Sequence, residues 1–502
     1  MVDVLLHLGQ GFLTVFQPVN LLVLCIGLVL GLLVAVLPGL TLVMGVVLVL
    51  PFTYKLGITP AVILLTAMYV TGTYGGAFTA ILFRIPGEPI DVPLLWDGYV
   101  MAKNGDPAKA LGWTLFAALA GGLVAAVVMV ALSEPVARLA LTFSSPEYFS
   151  LVLFGLASVV CLGGGSQINA FVSLLIGLLI ATVGVDSTYG TDRFSFGFDT
   201  LRDGIEYLGV MVGAYGLGEV LSRLEKGFTS PTVQQLGRIE TKLPSAAEVG
   251  QLKGTFARSS LLGIIVGIVP GAGATIASFL SYGVEAQYGR RRKEMGSGVP
   301  EGIVAPQAAA TASVGGAMIP LLTMGIPGSG ATAIILAAFL LQGIQPGAQV
   351  FVNQPALIYA IFATVFASLV GMVLIGYFAI KALVKVLDLK EAPVSAFVVM
   401  FCFIGALAQR NNLNDLWTIV AFGVLGYLFD KFQFPIAPMV LGAILGPLAE
   451  SYFLTSMISA ENDWSVFFTR PLSLALIVLS IVTVVFPLYR GWRERRTPPS
   501  PR

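Results

Sequence analysis

Two apolar arms of about nine residues, Leu261–Val269 and Ala274–Tyr282, are separated by Pro270-Gly271-Ala272-Gly273. A helical arm of that length covers roughly 13 Å, about half of a ~30 Å hydrocarbon core. Proline removes a backbone N–H and glycine permits non-helical backbone, so the helix is expected to break between the arms. Non-helical backbone survives at membrane depth only where it is buried in protein or lines a cavity. If this stretch lies in a membrane, the rest of the chain has to build a protein-lined interior around it.

The surrounding sequence places it in a membrane. Hydrophobic residues make up 56% of the chain and charged residues 11%, against roughly 25% charged in a soluble domain. Leu357–Ile380 stays apolar beyond the ~18-residue threshold for a spanning helix. About 11 to 14 membrane segments are expected, some too short to cross alone. Asn20–Leu37 is the first, and Pro471–Tyr489 the last. Pro60–Phe83 is expected to be interrupted at Thr71–Gly76, and Ala305-Pro306-Gln307 to open another interrupted segment. Net charge is +1, which gives no pointer to nucleic acid. Cys25, Cys161 and Cys402 lie in apolar runs and read as core residues. His7 is the only histidine, which argues against a histidine-based metal centre.

Basic residues suggest sidedness. Arg490, Arg493, Arg495 and Arg496 put the C-terminal tail in the cytoplasm, and the first basic residue, Lys55, comes late enough to favour an outer N-terminus. Arg223–Arg258 is the longest polar stretch and reads as a cytoplasmic linker. Arg290–Lys293 is a second basic cluster. Basic flanks on both sides favour a re-entrant hairpin at Ser259–Gly283 over a single broken span. The expected division is 1–112 and 259–350 as two repeats with Pro-Gly breaks, 113–222 and 351–489 as membrane helices, 223–258 as linker and 490–502 as tail.

The repeat reading comes from spacing. Gly31, Ala35, Pro38 and Gly39 are spaced like Gly263, Gly267, Pro270 and Gly271. Downstream, Gly75-Gly76-Ala77 precedes Ile85-Pro86-Gly87 by eight residues, and Gly315-Gly316-Ala317 precedes Ile326-Pro327-Gly328 by nine. Matched Gly/Pro-interrupted segments in two halves point to a transporter's midplane site, by analogy in inverted topology. A half-helix starting at a break offers free N–H groups to a carboxylate, and one ending there offers carbonyls to a cation such as sodium. Thr41, Thr275, Ser329 and Thr332 follow the prolines, and their hydroxyls suit either shell. Gln307 and Thr311 should face protein or a cavity. The plainer readings are proline kinks with close-packing small residues, and an Arg84–Glu88 ion pair at a helix end rather than Arg84 on an anionic substrate. Few basic residues lie within the segments, so a carboxylate cargo needs helix ends and a co-transported cation for compensation. The chain reads as an all-α polytopic membrane protein and a cation-coupled carboxylate transporter. A channel or passive facilitator is the alternative, and an intramembrane enzyme lacks a nucleophile, metal or acid pair.

The motifs Leu37-Pro38-Gly39-Leu40, Tyr74-Gly75-Gly76, Ile85-Pro86-Gly87, Asp97-Gly98-Tyr99, Pro270-Gly271-Ala272-Gly273-Ala274 and Ile319–Ser329 together resemble the large membrane subunit of the tripartite tricarboxylate transporters. The resemblance covers nearly the whole chain. It implies a bacterial inner-membrane permease working with a small membrane subunit and a periplasmic solute-binding protein. Uptake of citrate-like or other carboxylates would be driven by a cation gradient, commonly sodium, through an elevator-like motion of the paired hairpins. It implies no cofactor beyond the coupling ion, and a homodimer within the lipid is allowed for. The chain departs from the family pattern at Ala305–Ala312, where one acid and two amides are lost, at Arg84 in place of a frequent Asn, and at Thr275 in place of a frequent Asp. Fewer carboxylates weaken a hard-cation site and an added arginine favours an anion, so a smaller acid and proton coupling stay open.

Overall fold

The computed structural model is nearly all-helical and describes residues 2–37, 40–162, 166–186, 189–227, 241–271, 273–378, 391–410 and 413–496. Pro38 and Gly39 lie outside the described residues, as do Ala272, linker residues 228–240, residues 379–390 with Lys381, Lys385 and Lys390, and the chain beyond Arg496. In chain order the helices are α1 (Val2–Val15), α2 (Pro18–Val36), α3 (Leu42–Thr53), α4 (Ile58–Phe83), α5 (Leu94–Lys103), α6 (Pro107–Ala140), α7 (Ser145–Leu162) and α8 (Gln167–Ala181). Then come α9 (Asp199–Arg202), α10 (Tyr207–Met211), α11 (Gly218–Lys226), α12 (Ala246–Gln251), α13 (Lys253–Ile268), α14 (Gly273–Tyr288), α15 (Glu301–Met324) and α16 (Gly330–Leu341). The last are α17 (Ala348–Asn353), α18 (Pro355–Phe378), α19 (Glu391–Arg410), α20 (Leu413–Lys431), α21 (Ile436–Ser459), α22 (Val466–Thr469) and α23 (Pro471–Arg496). Among the described residues, six helices are long and apolar enough to cross a membrane: α2, α4, α6, α15, α18 and α21.

The chain forms two compact units, residues 1–140 with 226–409, and residues 141–225 with 410–502. In the first, α4 and α15 are buried along their length. Small residues let neighbouring helices approach backbone to backbone. Gly27 and Gly31 of α2 back onto Leu64 and Met68 of α4, and Gly263 and Gly267 of α13 back onto Ala309 and Ser313 of α15. α3 returns beside α2, with Gly45 against Val34. At the opening break, Thr255 near the start of α13 donates to Glu285 near the end of α14 (2.9 Å), and Arg258 donates to the same carboxylate (2.8 Å). The two arms therefore lie side by side and antiparallel rather than end to end.

Two expected interruptions are absent. α4 runs unbroken through Thr71–Gly76, and α15 through Pro306 and Pro320. The hydroxyls of Thr71 and Thr73 bond back to the carbonyls of Ala67 and Val70, each at 2.8 Å, so the polar run is satisfied inside the helix. Its glycines serve close approach, Gly72 to Leu42 and Gly75 to Ala35. α1, a helix ahead of the first expected segment, packs Leu8 and Phe12 against Leu24 and Ala363. Cys402 is buried as expected, but Cys25 is exposed on α2, because lipid-facing and core positions are equally apolar.

The second unit is a bundle of α7, α8, α10–α11, α20, α21 and α23. A π-helical turn, Val212–Leu217, joins α10 to α11 without a break. α8 runs parallel to α21, with Gly177 on Met439 and Gly446 on Ala181. α20 runs parallel to α10–α11, with Thr418 beside Gly209 and Lys431 bonded to Glu225. One end of this bundle carries the loop 182–206 and the Glu147–Arg470 and Arg193–Glu450 ion pairs. The other end carries Arg223 and Lys431.

Candidate functional site

α4 and α15 end in the same way. Arg84 (φ 59°) and Gly325 (φ 73°) take the left-handed conformation, and their N–H groups reach back to Ala80 and Leu321. The next residues, Ile85 and Ile326, donate to Thr79 and Pro320. This is the standard left-handed helix stop, at a position that favours Gly or Asn. Pro86-Gly87 and Pro327-Gly328 then turn back against the neighbouring helix. Gly87 packs on Ala35 and Gly76, and Gly328 packs on Gly267 and Ala317. Gly75 meets Leu32 and Ala35, and Gly316 meets Ile264 and Gly267. These contacts pair Gly75 with Gly316, one residue later than the Gly-Gly-Ala motifs suggest, and the uneven spacing disappears.

The halves diverge at the next residue. In the first it is Glu88, whose carboxylate accepts the backbone N–H of Leu42, the first of α3. Asp91 accepts the Glu88 N–H (2.9 Å) and its carboxylate lies against Gly76. Thr41 caps the same helix, its hydroxyl accepting from Met44 N–H (3.2 Å). The start of α3 therefore already holds a carboxylate. Among the described residues, neither Glu88 nor Asp91 has a basic partner.

In the second half the corresponding residue is Ser329. It caps α16 and accepts from Thr332 N–H (3.3 Å), while Thr332 Oγ1 accepts from Ser329 N–H (2.8 Å). Ser329 Oγ also lies 3.0 Å from Tyr69 Oη. Gly271 (φ 80°) donates to Gly328 O (3.1 Å), and Gly273, which opens α14, stands next to Ser329. The first turn of α14 contains no acid, and Thr275 is half-buried in it. Pro270 is buried at the turn.

The sequence-nominated residues thus fall into three groups. Thr41, Gly75, Gly76, Pro86 and Gly87 gather around the start of α3. Pro270, Gly271, Gly273, Thr275, Pro327, Gly328, Ser329 and Thr332 gather around the starts of α14 and α16. Gln307 and Thr311 are buried where α15 meets α4, and Gln307 Nε2 donates to Thr73 O (3.1 Å) and Thr311 Oγ1 (3.2 Å). Arg84 joins none of them. Its exposed guanidinium lies 5.5 Å from the Tyr99 ring, and no Arg84–Glu88 ion pair forms among the described residues. Arg84→Gly is therefore expected to leave uptake within about twofold of wild type, and not to lower the melting temperature, since Gly takes the left-handed stop without strain.

The halves interlock beyond their breaks. Ser278 of α14 donates to Ile90 O (2.8 Å), and Gly330 at the start of α16 packs on Val43 of α3. Asp97, fully buried, accepts from the N–H groups of Gly296 (3.0 Å), Gly298 (2.8 Å) and Val299 (2.9 Å) and from Tyr282 Oη (2.9 Å). It ties α5 to α14 and to the entry of α15. Tyr69, Glu88 as a cap, Asp91 and the Asp97 clamp were not nominated as site residues. Glu88-x-x-Asp91 has capping-box spacing, and Asp97 stands in the Asp97-Gly98-Tyr99 motif, whose role as a clamp nothing local reveals.

A separate polar cavity of about 360 Å³ lies beside the start of α6, lined in part by Asn104, Asp106, Lys109, Glu248 and Arg291. The hydrogen bond from Lys109 to Glu248 (2.8 Å), with bonds from Ser245, holds that carboxyl down to about 2. A depressed pKa contributes stability above the unfolded value of about 4.3, lost as pH falls through the folded value. Amide exchange in α12 is expected to stay slow as pH falls through 4 and to rise only towards about 2.

The tripartite tricarboxylate transporter TctA family model matches residues 21–441. The "Uncharacterized 52.8 kDa protein in TAR-I ttuC' 3'region" of Agrobacterium vitis is 34% identical over 496 residues, covering 99% of this chain and 98% of the relative. The "Uncharacterized protein in TAR-II ttuC' 3'region" of the same organism is 36% identical over 234 residues, covering 47% of this chain and 97% of the relative. No solved structure matches. With its apolar helices this is a multi-pass membrane protein. The chain belongs to the tripartite tricarboxylate transporter TctA family, the large membrane subunits of transporters built with a small membrane subunit and a periplasmic binding protein.

Proposed function

We propose that the chain is the large permease subunit of a cation-gradient-driven importer of small carboxylates delivered by a periplasmic binding protein. In this reading the start of α14 receives a carboxylate of the cargo. One observation carries it: at the corresponding helix start, α3, the chain's own Glu88 occupies the N–H that a cargo carboxylate would take. Ser329 stands where Glu88 does, so the start of α14 keeps its positive dipole end without a built-in acid.

The remaining parts fit this reading. Among the described residues Glu88 and Asp91 lack a basic partner, so a sodium ion or a proton would supply the missing charge and couple the gradient to the cargo. The basic end of α10–α11, by the positive-inside rule, faces the cytoplasm of a bacterial inner membrane, as does the C-terminal tail. Basic residues before α13 and after α14 would make this pair a re-entrant hairpin opening to that side. Matched contacts at both breaks suit inverted repeats moving as an elevator.

Proteoliposomes containing the chain, its small subunit and the cognate binding protein test the reading. Accumulation of a carboxylate against its gradient, collapsing with a cation ionophore, is expected. Equilibration without accumulation would make the protein a passive facilitator.

A further inference from the structure

At the acidic end of the second unit, Phe194, Phe196 and Phe198 are 56%, 79% and 63% exposed. They are not on a loose tail. Strands Gly184–Val185 and Asp192–Arg193 pair, Arg202 bridges Asp192 (3.2 Å), and Arg193 is bonded to Glu450 of α21 (3.1 Å). Phe198 N–H closes a turn on Ser195 O (2.9 Å). Phe194 (φ 53°) and Phe196 (φ 50°) both hold the left-handed conformation, which bulky residues seldom take. Such strain persists only where surrounding structure enforces it, and it collects at functional positions. Here it is kept in a segment whose rings stay uncovered.

We infer that residues 189–204, centred on Phe196, form the docking surface for the soluble binding protein. This rests on the transport reading above. Charge argues against the bilayer as occupant: residues 182–206 hold five acids, Asp186, Asp192, Asp199, Asp203 and Glu206, against Arg193 and Arg202. An acidic segment is repelled by anionic lipid headgroups. Position argues for a partner outside the cell membrane. The continuous helix Tyr207–Lys226 spans about 30 Å and leads into the stretch carrying Arg238, Lys242, Lys253 and Arg258, whose excess of basic residues over Arg193 and Arg202 puts the loop at the helix start on the opposite, outward side. The occupant presents an apolar patch inside a basic rim, facing the phenylalanines and Asp199, whose side chain is 96% exposed.

The test uses the full chain with its small subunit in nanodiscs and the substrate-loaded binding protein as probe. Phe196→Ser and Phe198→Ser are each expected to weaken docking about tenfold or more, as buried aromatic anchors do. The binding-protein concentration for half-maximal uptake should rise in step, with the plateau rate unchanged. Asp199→Lys, a surface change that leaves folding intact, should weaken docking too. Unchanged affinity in all three variants overturns the inference. Phe196→Trp adds a reporter: quenching by brominated lipid places the loop in the bilayer, and cross-linking between copies through Phe196→Cys makes it a self-association surface. Either result overturns the inference. If the wild type shows no uptake dependent on binding protein, the transport reading fails. If that dependence is intact but indifferent to these residues, only the docking surface fails.

Discussion

Ser329→Glu strongly suppresses uptake while the protein stays folded. The substitution places a carboxylate directly after Pro327-Gly328, the position Glu88 occupies after Pro86-Gly87. Glu88 seats itself on the first N–H of α3, and Gly273 at the start of α14 is already adjacent to Ser329. A glutamate there should fill the helix start as a tethered mimic of the cargo. Charge-assisted hydrogen bonds contribute about 1.5–3 kcal/mol, and tethering presents the group at roughly millimolar effective concentration. A fall in uptake of about ten- to a hundredfold is expected. Loss of the Ser329 cap on α16 alone costs about 1 kcal/mol, and it is controlled by Ser329→Asn, which caps equally well. The asparagine variant should retain most of its uptake. Equal loss in both variants would trace the effect to the cap and the Tyr69 contact instead of charge.

Asp97→Ala prevents recovery of a stable, monodisperse protein. Three backbone N–H groups and the Tyr282 hydroxyl share this one fully buried carboxylate. Val299 is buried, Gly298 and Tyr282 are half-buried and Gly296 is exposed. A buried donor left unsatisfied costs about 1–3 kcal/mol, so the loss takes a large share of a domain's stability of about 5–15 kcal/mol. Asp97→Asn keeps one carbonyl oxygen for the loop and turns an amide towards Tyr282, and should show an intermediate loss. Thermal melting monitored by size exclusion distinguishes the three proteins. Wild-type melting of the alanine variant would remove the clamp from the account of how α5, α14 and α15 are held together.

Pro270 and Gly271 were legible in the sequence as a break because they change what the backbone can do, whatever surrounds them. Thr71–Gly76 reads as an interruption yet stays helical, because small and hydroxyl residues carry two meanings: they weaken an isolated helix and they let a buried one pack closely. The environment that chooses between them, α2 and α3 lying against α4, is tertiary. Arg84 drew attention as a cation near a break, yet its backbone conformation explains its place: it stops α4 as Gly325 stops α15. Glu88 was visible only as that arginine's partner, since nothing local ties position 88 to the N–H of a residue 46 positions earlier. The pairing of Gly75 with Gly316 likewise needed three-dimensional contacts to correct a motif match that looked closer in sequence.

The most direct test is a cryo-electron microscopy map of the complex with its carboxylate cargo bound. Density for a carboxylate within hydrogen-bonding distance of the first N–H groups of α14, beside Ser329, is the expected result. Cargo density elsewhere, with the start of α14 empty or filled by a side chain of the protein itself, would contradict it.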